Sequence, residues 1–597
     1  MTWKNNSWVK FLEGYCKGKN QIQDEYVRKV AKNLGIKEPL AIKFPWQEEI
    51  LDKFRSRDEH RLIILTGTAG DGKTKLCRDI VKSLDGDGFD EVEWNSNSYF
   101  STEDRTIVKD FSELEEDKER LIRQLIDILH SGSVPKPILV AVNDGIRVED
   151  IEEFIGSVSS REEKILATRL KEIVEDKINL GFSNCEGEEL INLINLSKLN
   201  AKENVTLILD AILDHPGWSG CDGCIGKETQ VCTIYNKYNL LKLNDHIKEN
   251  LSNIILLLQL NNEHFTIREL LNLVTNTLLA SVPKSKAHQV IHEKLGVSVM
   301  SCKAMSKIEN TAAFNIESSI EVGFFGMNIG PHKMCYTRPF CEIHKLGFGE
   351  HSTNYWDKLL KNKSNRKFSI PLDIKNKLIS GSHSRKVVSP INLLGPLIRR
   401  SRIQMYCYQK DDPSAFNLQR YFYFGQYKNK VYDKLINSKR VDDIDTIAMI
   451  VLSLNRVFHG RYISENSGRD RLYIPEKGQG SISPISTFHG DDIRDRDIYI
   501  ESIWNDVGLT GARIEPILVL DIGGESKVKI SLTVELFDYL KSVSIGAPPN
   551  TADPRLYKKL LIFRSKISSQ VRRNQRMETY SLHNGEFRQI ALEVGND

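Results

Sequence analysis

Eight residues, Gly67-Thr68-Ala69-Gly70-Asp71-Gly72-Lys73-Thr74, follow the pattern G-x-x-x-x-G-K-T (a Walker A motif). That spacing builds a loop that cradles phosphate. The glycines let the backbone curl so that successive N–H groups point at β-phosphate oxygens. Lys73 brings a point charge to the β- and γ-phosphates, and the Thr74 hydroxyl can ligate Mg²⁺. The chemistry expected is binding of ATP with Mg²⁺, and its hydrolysis where an acid and a base stand nearby. Two flanking elements must position such a loop. The apolar run 62–65 reads as a buried strand that ends at Thr66. Residues 73–84 read as an amphipathic helix through Leu76, Ile80, Val81 and Leu84, with its positive dipole end behind the phosphates.

Hydrolysis needs a carboxylate. The wholly apolar strand 138–142 ends in Asn143-Asp144-Gly145, at a distance from the loop that suits the strand carrying the metal-binding acid. A strand ending Asp-Glu would give one carboxylate to Mg²⁺ and one as base for the attacking water. Here the pair is Asn-Asp. Asp144 takes the base position with Asn143 in the metal position, or the register differs by one, or Asn-Asp-Gly is a β-turn. A second candidate is Asp210, at the end of the run 205–209, which reads as the neighbouring strand that senses the γ-phosphate. Arg268 starts a lid helix running through Leu270, Leu271, Leu273, Val274, Leu278 and Leu279. It either reaches the γ-phosphate or lies in solvent. Phe44-Pro45-Trp46-Gln47 either clamps an adenine ring or starts a helix packed on the core.

A second chemical signal is Cys221-x-x-Cys224 followed by Cys232. Three thiols so close together, beside Gly220, Gly223 and Gly226, suit a zinc knuckle. No fourth ligand stands at standard spacing; His215, Cys185 and the group Cys335, Cys341, His344 are candidates. Reduced cysteines bracing a loop are the alternative reading.

The surrounding chain supports a soluble protein of several domains: 597 residues, 40% apolar and 27% charged. No apolar run approaches the ~18 residues of a membrane span. The N-terminus lacks a signal-peptide core, and ten scattered cysteines suggest a reducing cytoplasm. The net charge of +3 hides an asymmetry: residues 85–200 carry 27 Asp/Glu against 13 Lys/Arg, and residues 351–440 carry 19 Lys/Arg against 5 Asp/Glu. Either the basic half meets a polyanion, or the two halves attract each other or a partner protein. Basic segments 358–367, 399–402 (Arg399, Arg400, Arg402) and 558–576, the last ending Arg572-Arg573-Asn574-Gln575-Arg576, would contact duplex backbone without reading sequence. An arginine of 399–402 is also a candidate finger toward a neighbouring subunit's nucleotide. Residues 85–100 read as a surface loop, and 472–535 as β-rich.

Taken in order, the loop at 67–74, the strand end Asp110-Phe111-Ser112, Asn143-Asp144-Gly145, Trp218-x-x-Cys221-x-x-Cys224-x₇-Cys232 and Thr266-x-Arg268 resemble the ATPase subunit of phosphorothioation-dependent DNA restriction systems, DptF or DndF. The resemblance covers roughly residues 40–300 by motif. Asn143-Asp144-Gly145 stands where relatives are expected to carry Asn-Glu-Gly. It implies a bacterial antiphage protein that works with companion subunits on DNA lacking the sulfur modification.

The expected fold is an α/β P-loop NTPase with an AAA+/RecA-like three-layer core at 41–300 and a helical lid. A helical extension at 1–40 precedes it, a basic mixed domain at 301–440 follows, and an α+β domain at 441–597 ends the chain. The alternative function is a nucleotide-dependent scaffold of another antiphage system that oligomerises and binds protein rather than DNA.

Overall fold

In a computed structural model of the chain, the described residues are 2–16, 24–36, 39–55, 62–114, 117–143, 148–180, 185–230, 232–279, 302, 424–475, 485–489, 493–502, 511–522, 527–570 and 577–590. Asp144, Gly145, Cys335, Cys341, His344, the segments 358–367 and 399–402, and Arg572, Arg573 and Arg576 lie outside them. The chain divides into two compact units: 1–259 with 263–416 and 506–513, and 260–262 with 417–505 and 514–597.

The first unit is mixed α/β around a largely parallel sheet. Its strands are β1 (Leu62–Thr66), β2 (Tyr99–Ser101), β3 (Thr106–Val108), β4 (Ile138–Ala141) and β5 (Ile191–Asn195), in the order β2-β3-β4-β1-β5. β1 runs parallel to both neighbours, with Ile64 opposite Val140 on one side and Leu193 on the other. β3 runs parallel to β4, and β2 closes the edge antiparallel to β3. Every residue of β1 is buried, because a parallel strand with both faces covered reads as an unbroken apolar run. Leu62 and Ile64 join Val140, Val108 and Leu193 in a core with the apolar sides of helices Asp117–Ser131, Val148–Ser157 and Arg161–Leu180. Ile63 and Leu65, of opposite parity, are equally buried on the other face, on whose side helix Lys73–Asp85 contributes buried Leu76, Cys77 and Ile80.

Helix Ala201–Leu213 corrects the reading of 205–209 as a strand. Buried Val205, Ile208, Leu209, Ile212 and Leu213 follow a helical period, and Asn200 caps the first turn through Lys202 N–H. A β-branched apolar run alone cannot separate a buried strand from a buried helix. The strand beside β1 is Ile191–Asn195, whose two asparagines interrupt the apolar pattern. The 85–100 segment is also more ordered than a loop. It holds a 3₁₀ turn at Gly86–Gly88 and helix Glu91–Ser96, capped by Asp90.

The second unit is α+β. Antiparallel strands β6 (Arg440–Val441), β7 (Ile485–His489), β8 (Ile498–Ser502), β9 (Pro516–Asp521), β10 (Lys527–Ser531), β11 (Met577–His583) and β12 (Glu586–Ile590) form two sheets, β10-β9-β8-β6 and β12-β11-β7. Helix Ile444–His459 packs against helices Val534–Ser544 and Pro554–Gln570. The buried Arg456 guanidinium donates to the carbonyls of Ile463, Val543 and Ser544, so it caps the end of helix Val534–Ser544.

Candidate functional site: the Gly67–Thr74 loop

The loop leaves the C-terminal end of β1 and enters helix Lys73–Asp85 with Gly72 at its N-cap. As at any helix start, the first N–H groups have no intrahelical carbonyl, and the helix dipole puts partial positive charge there. β1 lies between β4 and β5, where connections leave in opposite directions along the sheet, and such switch points are where open α/β sheets bind ligands. Two glycines are required by geometry. Gly67 has φ +144°, and a Cβ there would sit 2.7 Å from Asp71 Oδ2. Gly70 has φ +110°, and a Cβ would come 3.1 Å from that of Arg268.

The loop satisfies itself. Lys73 is buried, and its ammonium donates to the carbonyls of Gly67 at 2.6 Å and Thr68 at 2.9 Å. Asp71 is turned inward: Oδ2 accepts from Thr68 N–H at 2.7 Å, the Thr68 hydroxyl at 3.1 Å and the Ser197 hydroxyl at 3.0 Å. Its Oδ1 lies 3.2 Å from His264 Nε2, which is also 3.2 Å from the Thr68 hydroxyl. The Asp71 carboxylate therefore braces the loop and leaves the open side to backbone N–H groups, exposed Ala69 and exposed Thr74. Ser197 and His264 escape a reading of the sequence, since each reaches the loop from more than a hundred residues away and neither belongs to a spaced motif.

Arg268 stands beside the loop. Its N–H donates to the Gly70 carbonyl at 3.2 Å, and Thr266 and Glu269 exchange bonds that cap helix Ile267–Leu279. At the ends of β3 and β4, Asp110 and Asn143 come together, with Asn143 Nδ2 3.4 Å from Asp110 Oδ2. Asp110 Oδ1 accepts from Ser112 N–H at 2.9 Å and the Ser112 hydroxyl at 2.5 Å. The Cys77 thiol in helix Lys73–Asp85 is pushed up to about 12 by burial; Lys73 lowers it and Asp110 raises it. β4, not β3, is the strand next to β1.

Two earlier alternatives resolve. Phe44 and Trp46 are buried and stacked on each other at 5.3 Å, and Trp46 Nε1 points to Asn204 Oδ1 at 3.5 Å, so these rings pack the core at the start of helix Pro45–Arg55. Asp210 is a helical residue paired with Lys248 at 3.0 Å and carries no strand-end role.

Cys221, Cys224 and Cys232 lie in one region, near the N-terminal segment. Asn6 Nδ2 donates to Cys221 Sγ at 3.1 Å, and Lys4 N–H to Cys224 Sγ at 3.4 Å. His215 stacks on Trp8 at 3.6 Å and accepts from Gly217 N–H, while Cys185 Sγ points to Glu172. Neither joins the thiols. Among the described residues, no three His, Cys, Asp or Glu side chains are placed, as they stand, to hold a metal ion. No helix among them is long and apolar enough to cross a membrane.

Comparison with protein-family models, with curated proteins and with solved structures gives no match to this chain.

Proposed function

We propose that the chain binds and hydrolyses ATP with Mg²⁺ as a P-loop NTPase. The single observation that carries the reading is the Gly67–Thr74 loop between a buried parallel strand and a helix start at the sheet's switch point. Lys73 would turn from the Gly67 and Thr68 carbonyls to the β- and γ-phosphates, exchanging two neutral acceptors for charged oxygens. The residues present fit the metal. The Thr74 hydroxyl at the helix start and the Asp110 carboxylate at the end of β3 are oxygen ligands of the kind Mg²⁺ takes. Bound there, the ion would neutralise charge developing on the phosphates. Asn143, hydrogen-bonded to Asp110, would orient that carboxylate or the γ-phosphate, and Asp144 follows as the candidate base. Arg268, held to Gly70 through its backbone, would add positive charge as the lid helix settles.

In its cellular setting we propose a cytoplasmic ATPase subunit of a bacterial restriction complex that acts, with companion subunits, on DNA lacking phosphorothioate. The ordered motifs from Gly67 to Arg268 support this. One observation favours the scaffold reading instead. In helix Pro554–Gln570, Arg564 donates to the Phe458 carbonyl, Lys559 is half-buried and exposed Arg555 pairs with Asp553, so those cations serve the unit itself, while Lys558 and Lys566 stand exposed. ATP turnover measured with and without duplex DNA separates the two. Stimulation by DNA, reduced in Arg572→Ser/Arg573→Ser/Arg576→Ser together with the salt slope of DNA binding, supports restriction. Turnover indifferent to DNA, with ATP-dependent self-association, supports the scaffold.

A further inference from the structure

Folding supplies the fourth thiol that spacing does not. Cys302 comes within electrostatic reach of Cys221, Cys224 and Cys232. The gathering has a backbone cause. Cys224 N–H donates to the Cys221 carbonyl at 3.1 Å across a turn with Gly223 at φ +66°, and Cys232 N–H returns to the Gly226 carbonyl at 2.9 Å. The first residues of the chain close over this turn: Thr2 bridges to Cys224, and the Trp3 ring fills the space a side chain at residue 226 would need.

N–H donors reach two of the sulfurs directly. Asn6 Nδ2 meets Cys221 and Lys4 N–H meets Cys224. Cys232 is the N-cap residue of helix Thr233–Leu243, beside the first N–H groups of that helix, which have no intrahelical partner. A neutral thiol is a weak acceptor, whereas metal-bound thiolates are commonly held by such outer hydrogen bonds. Lys4 and Lys227, bound to the carbonyl and the carboxylate of Asp222, add positive charge beside the group.

We propose that Cys221, Cys224, Cys232 and Cys302 hold one tetrahedral zinc ion. All-thiolate tetrahedral sites suit zinc or iron–sulfur clusters; the tight Cys221–Cys224 turn is the knuckle that grips a single ion. Binding breaks four S–H bonds, sends four protons to the buffer and forms four S–Zn bonds, with no change of oxidation state. Closing the shell from the arrangement described requires that deprotonation and rotation about the cysteine χ1 angles. The ion would join residues 221–232 to residue 302, with the N-terminal segment hydrogen-bonded to two of the sulfurs through Lys4 and Asn6. The inference is independent of nucleotide binding.

The test is elemental analysis of the full chain purified without chelator, followed by cobalt substitution. The expected result is about one zinc per chain, and a cobalt form with the intense bands of a tetrahedral four-thiolate site. Cys302→Ser should lose most of its metal and shift those bands. Asn6→Ala, which spares every sulfur, should keep the zinc but release it to chelator about 10- to 100-fold faster. Metal below about 0.2 per chain, iron with acid-labile sulfide, or a Cys302→Ser protein with the original zinc content and cobalt spectrum overturns the proposal.

Discussion

The phosphate loop and the thiol group share one unit and are built in opposite ways. The loop is contiguous: eight residues, a strand before and a helix after, with Lys73 and Asp71 satisfied mainly by the loop itself. The thiol group is assembled from residues 4–6, 221–232 and 302, and its one legible stretch, Cys221 to Cys232, leaves the fourth thiol unnamed. Local backbone geometry can be encoded by spacing, so the loop is legible in the sequence. A group joined by tertiary packing needs the fold first. The two should therefore fail differently: damage to the loop removes chemistry and spares the fold, and damage to the thiols loosens the fold around chemistry that stays intact.

The largest effect expected is on turnover. Asp110→Asn should slow ATP hydrolysis by about 100-fold or more while changing ATP affinity much less, because a metal-holding carboxylate acts chiefly on the transition state. Asp144→Asn measured beside it by steady-state turnover decides which strand end supplies the acid. A slow Asp144→Asn with an unaffected Asp110→Asn returns that role to β4.

Next in size is Gly67→Ala. The left-handed φ and the 2.7 Å approach of Asp71 should cost about 1–3 kcal/mol, read as a lowered midpoint in denaturant. Gly72→Ala is the sharper partner experiment. Its φ of +91° is strained, yet nothing stands within 4 Å of the added methyl, so the difference between the two variants isolates the clash with Asp71. Equal midpoints would mean that Asp71 yields freely and does not brace the loop.

A smaller effect is expected for His264→Ala, which removes a ring nitrogen 3.2 Å from both Asp71 and Thr68. Loss of about 1 kcal/mol should weaken ATP binding less than 10-fold without touching zinc content. A change in metal content would join the two regions that the comparison separates.

The contrast also explains which elements were legible. β1, helix Lys73–Asp85 and helix Pro45–Arg55 follow from apolar periodicity and Pro or Gly at their ends. The run 205–209 reads as a strand because Val, Thr and Ile suit a buried strand as well as this buried helix, and the deciding signal, the Asn200 cap, is a single side chain. β5 was missed because Asn192 and Asn195 break its apolar run. In the site, the contiguous loop is readable and Arg268 is readable only as one of two alternatives, but the meeting of Asp110 with Asn143 depends on strand order, which periodicity does not carry. Ser197, His264 and Cys302 depend on it still more.

The central claim is that the Gly67–Thr74 loop binds nucleotide through Lys73, and calorimetric titration of ATP–Mg²⁺ into the full chain tests it most directly. Saturable binding should be seen for the native sequence and lost in Lys73→Ala, with the circular dichroism of the folded protein retained. Unaltered ATP affinity in a folded Lys73→Ala protein, or no binding to the native chain, would contradict it.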